Sequence, residues 1–196
     1  MTPDQKIEQA RLIKEGTGYE CTQFARDVEG ADVQSLQARV LEVGDRFACY
    51  QFARDVPGAN IKALQKRVLE IGTGKQCYLF AREVPGADIK ALEQRVLEIG
   101  TADDCRKFAR HIVPCADTEA LQKRVLEIGS GWDCCEFAYS VPNADIAALQ
   151  ARVLEIGDSD DCRWFAKHVY GADKKALQAR ARALFTEERY QYSPRF

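Results

Sequence analysis

Residues 72–99, GTGKQCYLFAREVPGADIKALEQRVLEI, spell out two short helices and the turn between them. Cys77, Phe80, Ala81 and Val84 fall at i, i+3, i+4 and i+7, one face of a 3.6-residue helix. VPGAD then breaks the pattern: proline ends the first helix, Gly86 supplies the left-handed residue that closes it, and Asp88 offers an N-cap for the next. In the second helix Ile89, Leu92, Val96 and Ile99 share a face with Leu97 at its edge, and Gly100 stops it. Nothing alternates with period two, so strands are excluded. Helices of about 11 residues are marginal alone in water, so each must be covered by neighbours.

Those neighbours are copies of the same stretch. Glycine recurs at Gly16, Gly44, Gly72, Gly100, Gly129 and Gly157, a spacing of 28 residues except for 29 in the fourth repeat. A period of this size indicates stacked supersecondary units. The apolar quartet returns around Phe24, Phe52, Phe108, Phe137 and Phe165, each followed by alanine. Gly30, Gly58 and Gly171 repeat the role of Gly86, with Asn143 as the next-best residue; Asp32, Asn60, Asp117, Asp145 and Asp173 repeat the N-cap. The expected fold is all-α: a right-handed α-solenoid of six two-helix repeats, 16–43, 44–71, 72–99, 100–128, 129–156 and 157–184, forming one domain over 1–196. Residues 1–15, with Thr2, Pro3 and Asp4 opening a helix, form an N-terminal cap. At the other end Phe185 replaces the stopping glycine, so 185–196 continue as a C-terminal cap whose Phe185, Tyr190, Tyr192 and Phe196 are expected to fold back over the last hairpin.

On this pattern the chain resembles HEAT and other short-hairpin α-solenoid repeat proteins, over essentially its whole length. Its consensus, FARDVPGANIKALQKRVLEI in the second repeat, differs from the tetratricopeptide, ankyrin and armadillo signatures. The resemblance therefore implies a shape and a binding surface, and no catalytic residues.

Composition narrows the function further. A net charge of −2 excludes the blunt polyanion-binding signal of a strongly basic domain. No apolar run approaches 18 residues, so no membrane partner is expected, and MTPDQKIEQARLIKEG contains no signal-peptide core, which makes the cytoplasm the expected compartment. Six of the eight cysteines (Cys21, Cys49, Cys77, Cys105, Cys134 and Cys162) hold one column of the repeat. Stacked helices lie about 8–10 Å apart, beyond the reach of a disulfide, so these read as small buried residues. Cys135, one helical step from Cys134, is expected to be exposed and oxidisable. His111 and His168 share a column otherwise filled by Asp27, Asp55, Glu83 and Ser140, which reads as a surface position. Cys105, His111 and Cys115 lack the fourth ligand of a zinc site. With no nucleotide loop, metalloprotease or nucleophile-elbow motif, neither an enzyme nor a cofactor is expected.

Charge, by contrast, is laid down in rows. Arg39, Arg67, Arg95, Arg124, Arg152 and Arg180 border the apolar face of the second helices, with Glu42, Glu70, Glu98, Glu127 and Glu155 three residues on. This reads as a structural ladder whose long stems cover the core edge. The first helices carry Arg26, Arg54, Arg82 and Arg110, continued by Tyr139 and Lys167. Four residues earlier come Thr22, Tyr50, Tyr78, Arg106, Cys135 and Arg163, expected on the same outer face. Arginine and tyrosine dominate binding hot spots. The candidate partner-binding residues are therefore Arg26, Tyr50, Arg54, Tyr78, Arg82, Arg106, Arg110, Tyr139, Arg163 and Lys167. The expected function is a non-enzymatic scaffold recognising a protein or peptide. The alternative is nucleic-acid binding through phosphate contacts on the same face.

Overall fold

The computed structural model describes residues 1–44 and 46–191, with side chains described as far as residue 186. Among these residues the chain is all-helical, with thirteen helices and no strand. Helix α1 (Pro3–Glu15) is followed by six pairs: α2 (Gly18–Asp27) with α3 (Val33–Val43), α4 (Arg46–Asp55) with α5 (Ile61–Ile71), and α6 (Gly74–Glu83) with α7 (Ile89–Ile99) come first. Then come α8 (Ala102–His111) with α9 (Thr118–Ile128), α10 (Gly131–Ser140) with α11 (Ile146–Ile156), and α12 (Ser159–His168) with α13 (Lys174–Gln191). Two compact bodies result, Met1–Gly100 and Thr101–Phe196. In the first, α2, α4 and α6 pack side by side and α1 covers α3; in the second, α8, α10 and α12 pack side by side.

Local chemistry fixes these boundaries. Thr2, with Pro3 at the first helical position, caps α1 and exchanges hydrogen bonds with Gln5. The first helices of five pairs open on a capping box as well, Thr17 with Glu20, Thr73 with Gln76, Thr101 with Asp104, Ser130 with Asp133 and Asp158 with Asp161. Asp32, Asn60, Asp88, Asp117 and Asp145 each accept the N–H three residues on, as the sequence leads one to expect. Asp173 does the same for Ala176 at 3.0 Å. In the turns Gly86 has φ 79° and Asn143 has φ 59°, the left-handed region that few other residues enter readily. The fourth pair solves the turn differently. There the Val113–Pro114 peptide is cis, and the Ile112 carbonyl accepts from both Cys115 and Ala116, at 2.8 and 3.0 Å.

The core is built in columns. Phe52, Phe80, Phe108, Phe137 and Phe165, Leu36 through Leu177, and the six repeat cysteines are fully buried. All cysteines are free thiols. Burial pushes Cys105 up to about 12 and Cys134 to about 11, so neither ionises near neutrality. Ile99, placed by periodicity on the apolar face, is 41% exposed, and its counterparts Ile128 and Ile156 are 43% and 41% exposed. Each is the last helical residue before the chain leaves at glycine, beyond the turn its neighbour covers.

A glutamine clasp joins successive second helices. The side-chain carbonyl of Gln37 accepts the Asn60 N–H at 2.7 Å, and Gln65 both accepts from and donates to the Asp88 backbone at 2.8 and 3.1 Å. Gln122 with Asp145 and Gln150 with Asp173 repeat the bond at 2.8 and 2.7 Å. Gln9 of α1 makes it to Asp32, which seats α1 as a cap on the first hairpin. A buried N–H left unpaired costs about 1–3 kcal/mol, so within each body the clasp fixes the register of one hairpin on the next. At the other end α13 continues through Phe185, as expected. Phe185 is 46% exposed and the Arg163 guanidinium lies 5.4 Å from its ring. The expected docking of Tyr190, Tyr192 and Phe196 concerns side chains outside the described residues.

Candidate partner-binding face

The arginines of the second helices serve the fold. Arg39, Arg67, Arg95, Arg124 and Arg152 pair with the glutamates three residues on, at 2.8–3.6 Å. The glutamates are largely exposed, so each pair contributes only about 0.3–0.5 kcal/mol. The Arg39 Nε donates to the Gly16 carbonyl at 3.0 Å, while the Nε atoms of Arg67, Arg95, Arg124, Arg152 and Arg180 are buried without a protein acceptor. Stems buried this deeply are packing groups first and ligand donors second.

On the first helices the outer row differs between the two bodies. In the first, each arginine is neutralised by the acid beside it. Arg26 grips Asp27 through two bonds, at 2.7 and 3.0 Å, and Arg54 grips Asp55 at 2.6 and 2.8 Å. Arg82 pairs with Glu83. Glu83 also accepts from the Tyr50 hydroxyl and from Arg54 at 3.2 Å. The Tyr50 hydroxyl, with Arg82 and Arg54 after it, holds the Glu83 carboxyl down at about 2. The guanidinium carbons of Arg54 and Arg82 lie over the rings of Tyr50 and Tyr78, 5.1 and 5.0 Å from the centroids.

Tyr50 and Tyr78 are therefore not surface residues. They are 3% and 4% exposed, and the same column buries Thr22 and Cys135. For Tyr50 and Cys135 the cause is the next first helix of the same body, which covers a position lying about 100° away from the cysteine column. Cys135, expected to be exposed, is wholly enclosed, and its thiol donates to the Asp161 carbonyl at 3.5 Å. Burial raises its pKa well above the ordinary range, so it is a poor nucleophile and a poor target for oxidants. Arg106, next in that column, is half-buried between Asp103 at 2.5 Å and Glu136 at 3.2 Å. Arg163 meets Asp160 at 3.2 Å.

In the second body the outer row has lost its acids. The residues after Arg110, Tyr139 and Lys167 are His111, Ser140 and His168. Arg110 and Lys167 are exposed and form no ion pair among the described residues. Between them stands Tyr139, 63% exposed, within an aromatic cluster the sequence reading did not single out. Trp132 and Trp164 meet edge to face at 5.1 Å, Tyr139 lies 5.5 Å from Trp164, and His168 lies 4.7 Å from Trp164. Trp132 is 44% exposed. At the adjoining turn Tyr170 stands where three hairpins carry proline, Pro57, Pro85 and Pro142, and is 98% exposed. A usable signal was present: both tryptophans of the chain fall in the fifth and sixth repeats, off the apolar face.

The remaining features offer little chemistry. A shallow cleft of about 450 Å³ between α3 and the start of α5, lined by Gln37, Leu41, Asn60 and Ala63 among others, holds no titratable group. Among the described residues no three His, Cys, Asp or Glu side chains gather as a metal site would require, and no helix is long and apolar enough to cross a membrane. Compared with known proteins, the chain matches no family model, no curated protein and no solved structure.

Proposed function

We propose that this chain is a non-enzymatic binding module, an α-solenoid of six helical hairpins that recognises a protein or peptide through the outer face of its first helices. The observation that carries the reading is the cluster of exposed Trp132, Tyr139 and His168 around the half-buried Trp164, flanked by the uncompensated cations Arg110 and Lys167. Large aromatic side chains left in water cost free energy that core packing does not require. Trp, Tyr and Arg together are the residue types that carry most of the energy at protein interfaces. Within the row first read as one surface, Arg26, Arg54 and Arg82 are satisfied by their own acids, which moves the working part to Arg110, Tyr139 and Lys167.

Pull-down from native lysate tests this. The full chain should capture a defined set of proteins, with or without nuclease, and W132A/W164A should lose that set while keeping its helical circular dichroism. Recovery of the same set by the variant refutes the assignment of the face. Capture that vanishes on nuclease treatment and falls steeply with salt points to nucleic acid instead.

A further inference from the structure

Resting on the reading above, we propose that the rim formed by the C-terminal ends of α8, α10 and α12 binds an acidic, extended peptide. Two of its carboxylates pair with Arg110 and Lys167 while an apolar side chain between them sits on the Tyr139–Trp164 cluster. The argument begins with charge. Wherever the first body places an arginine in this row it places an acid at the next position, and the pair closes at 2.6–3.0 Å for Arg26 and Arg54. In the second body His111, Ser140 and His168 take those positions, and the Ser140 hydroxyl turns away to its own helix, donating to the Glu136 carbonyl at 2.7 Å. The cations are retained and their internal partners removed, so the missing counter-charge comes from the ligand.

Geometry sets the ligand's length. Helices α8 and α12 flank α10, and packed helices lie about 8–10 Å apart, which puts Arg110 and Lys167 about 16–20 Å apart. An extended chain rises about 3.3 Å per residue, so the two acids are separated by about five to six residues. The rings favour a peptide over bases. Trp132 and Tyr139 stand at 67° and 77° to Trp164, whereas successive stacked bases need ring faces presented in parallel. Steeply inclined rings form notches that fit single aliphatic or aromatic side chains.

Panning the full chain against displayed random nine-residue peptides tests the proposal, with a labelled ten-nucleotide oligothymidine measured in parallel at low salt. The expected result is enrichment of sequences carrying two acids about five to six positions apart around an apolar residue. Their affinity should fall about tenfold or more in R110A/K167A, and equally when the two acids are replaced by amides. Enriched peptides without acids, or acidic ones lost in W164A but unchanged in R110A/K167A, overturn this inference and leave the peptide-binding function standing. Oligothymidine binding without peptide enrichment overturns both, whereas no binding of either overturns this inference and leaves the function to the pull-down.

Discussion

In the first body the outer arginines are followed by Asp27, Asp55 and Glu83; in the second the corresponding residues are His111, Ser140 and His168. Beneath that row the two bodies bury the same kinds of side chain at the same positions. Phe52 and Phe80 have their counterparts in Phe108, Phe137 and Phe165, and Leu64 and Val68 in Leu149 and Val153, all fully enclosed. The contrast separates two uses of one repeat. A packed column tolerates little change because each member fills space its neighbours define. The outer row is under no such constraint, so one body spends it on internal ion pairs and the other leaves it open.

The comparison is broken first if the cores are not equivalent. Phe52→Ala and Phe137→Ala should each lower unfolding free energy by about 3–5 kcal/mol, read from urea denaturation followed by helicity. A loss under about 1 kcal/mol at either position would mean that its body is held by something other than the shared columns. Gly131→Ala is the next largest. A Cβ there would meet the Gly157 Cα at 2.6 Å and the Asp161 carboxylate at 2.3 Å. Ala102 and Ser159 occupy the same register elsewhere, so the obstacle is this close approach and not the helix itself. The expected cost is about 1–3 kcal/mol, seen as a lower melting temperature.

Much of this was legible in the residues. The helices, the N-caps, the left-handed Asn143 and the cysteine column follow from periodicity and turn chemistry, both of which act within one hairpin. What was not legible depends on the neighbouring hairpin. Tyr50 and Cys135 lie off the apolar face of their own helices and become buried because the adjacent first helix of the same body covers them. The glutamine clasp had a trace in sequence, Gln37, Gln65, Gln122 and Gln150 each two residues before the arginine, but its partner is a backbone N–H that periodicity cannot locate. The capping boxes, Thr17 to Glu20 among them, could have been read from spacing alone.

The internal ion pairs of the first body give it an acid sensitivity that the open row lacks. Glu83 titrates at about 2 in the folded chain against an ordinary 4.5. A depressed carboxyl stabilises fully above its unfolded value and loses that contribution as pH falls from about 4.5 toward 2. Glu83→Gln should flatten stability over that window and cost about 1 kcal/mol at neutral pH, discounted for solvent screening. An unchanged acid profile in thermal melts would show that Glu83 contributes nothing through its charge.

The smallest effect on stability is the most telling for function. Writing the first body's pattern into the second, as His111→Asp with His168→Asp, places a carboxylate beside Arg110 and Lys167 at positions exposed to solvent. Melting should move by no more than about 0.5 kcal/mol equivalent, since both positions are exposed, with His168 giving up its ring contact to Trp164. Acidic-peptide affinity should nevertheless collapse, because each cation then closes on an internal acid as Arg26 closes on Asp27. Peptide binding that survives the double substitution at full strength would mean that the loss of acids from the second body is incidental, and that the aromatic cluster alone draws the ligand.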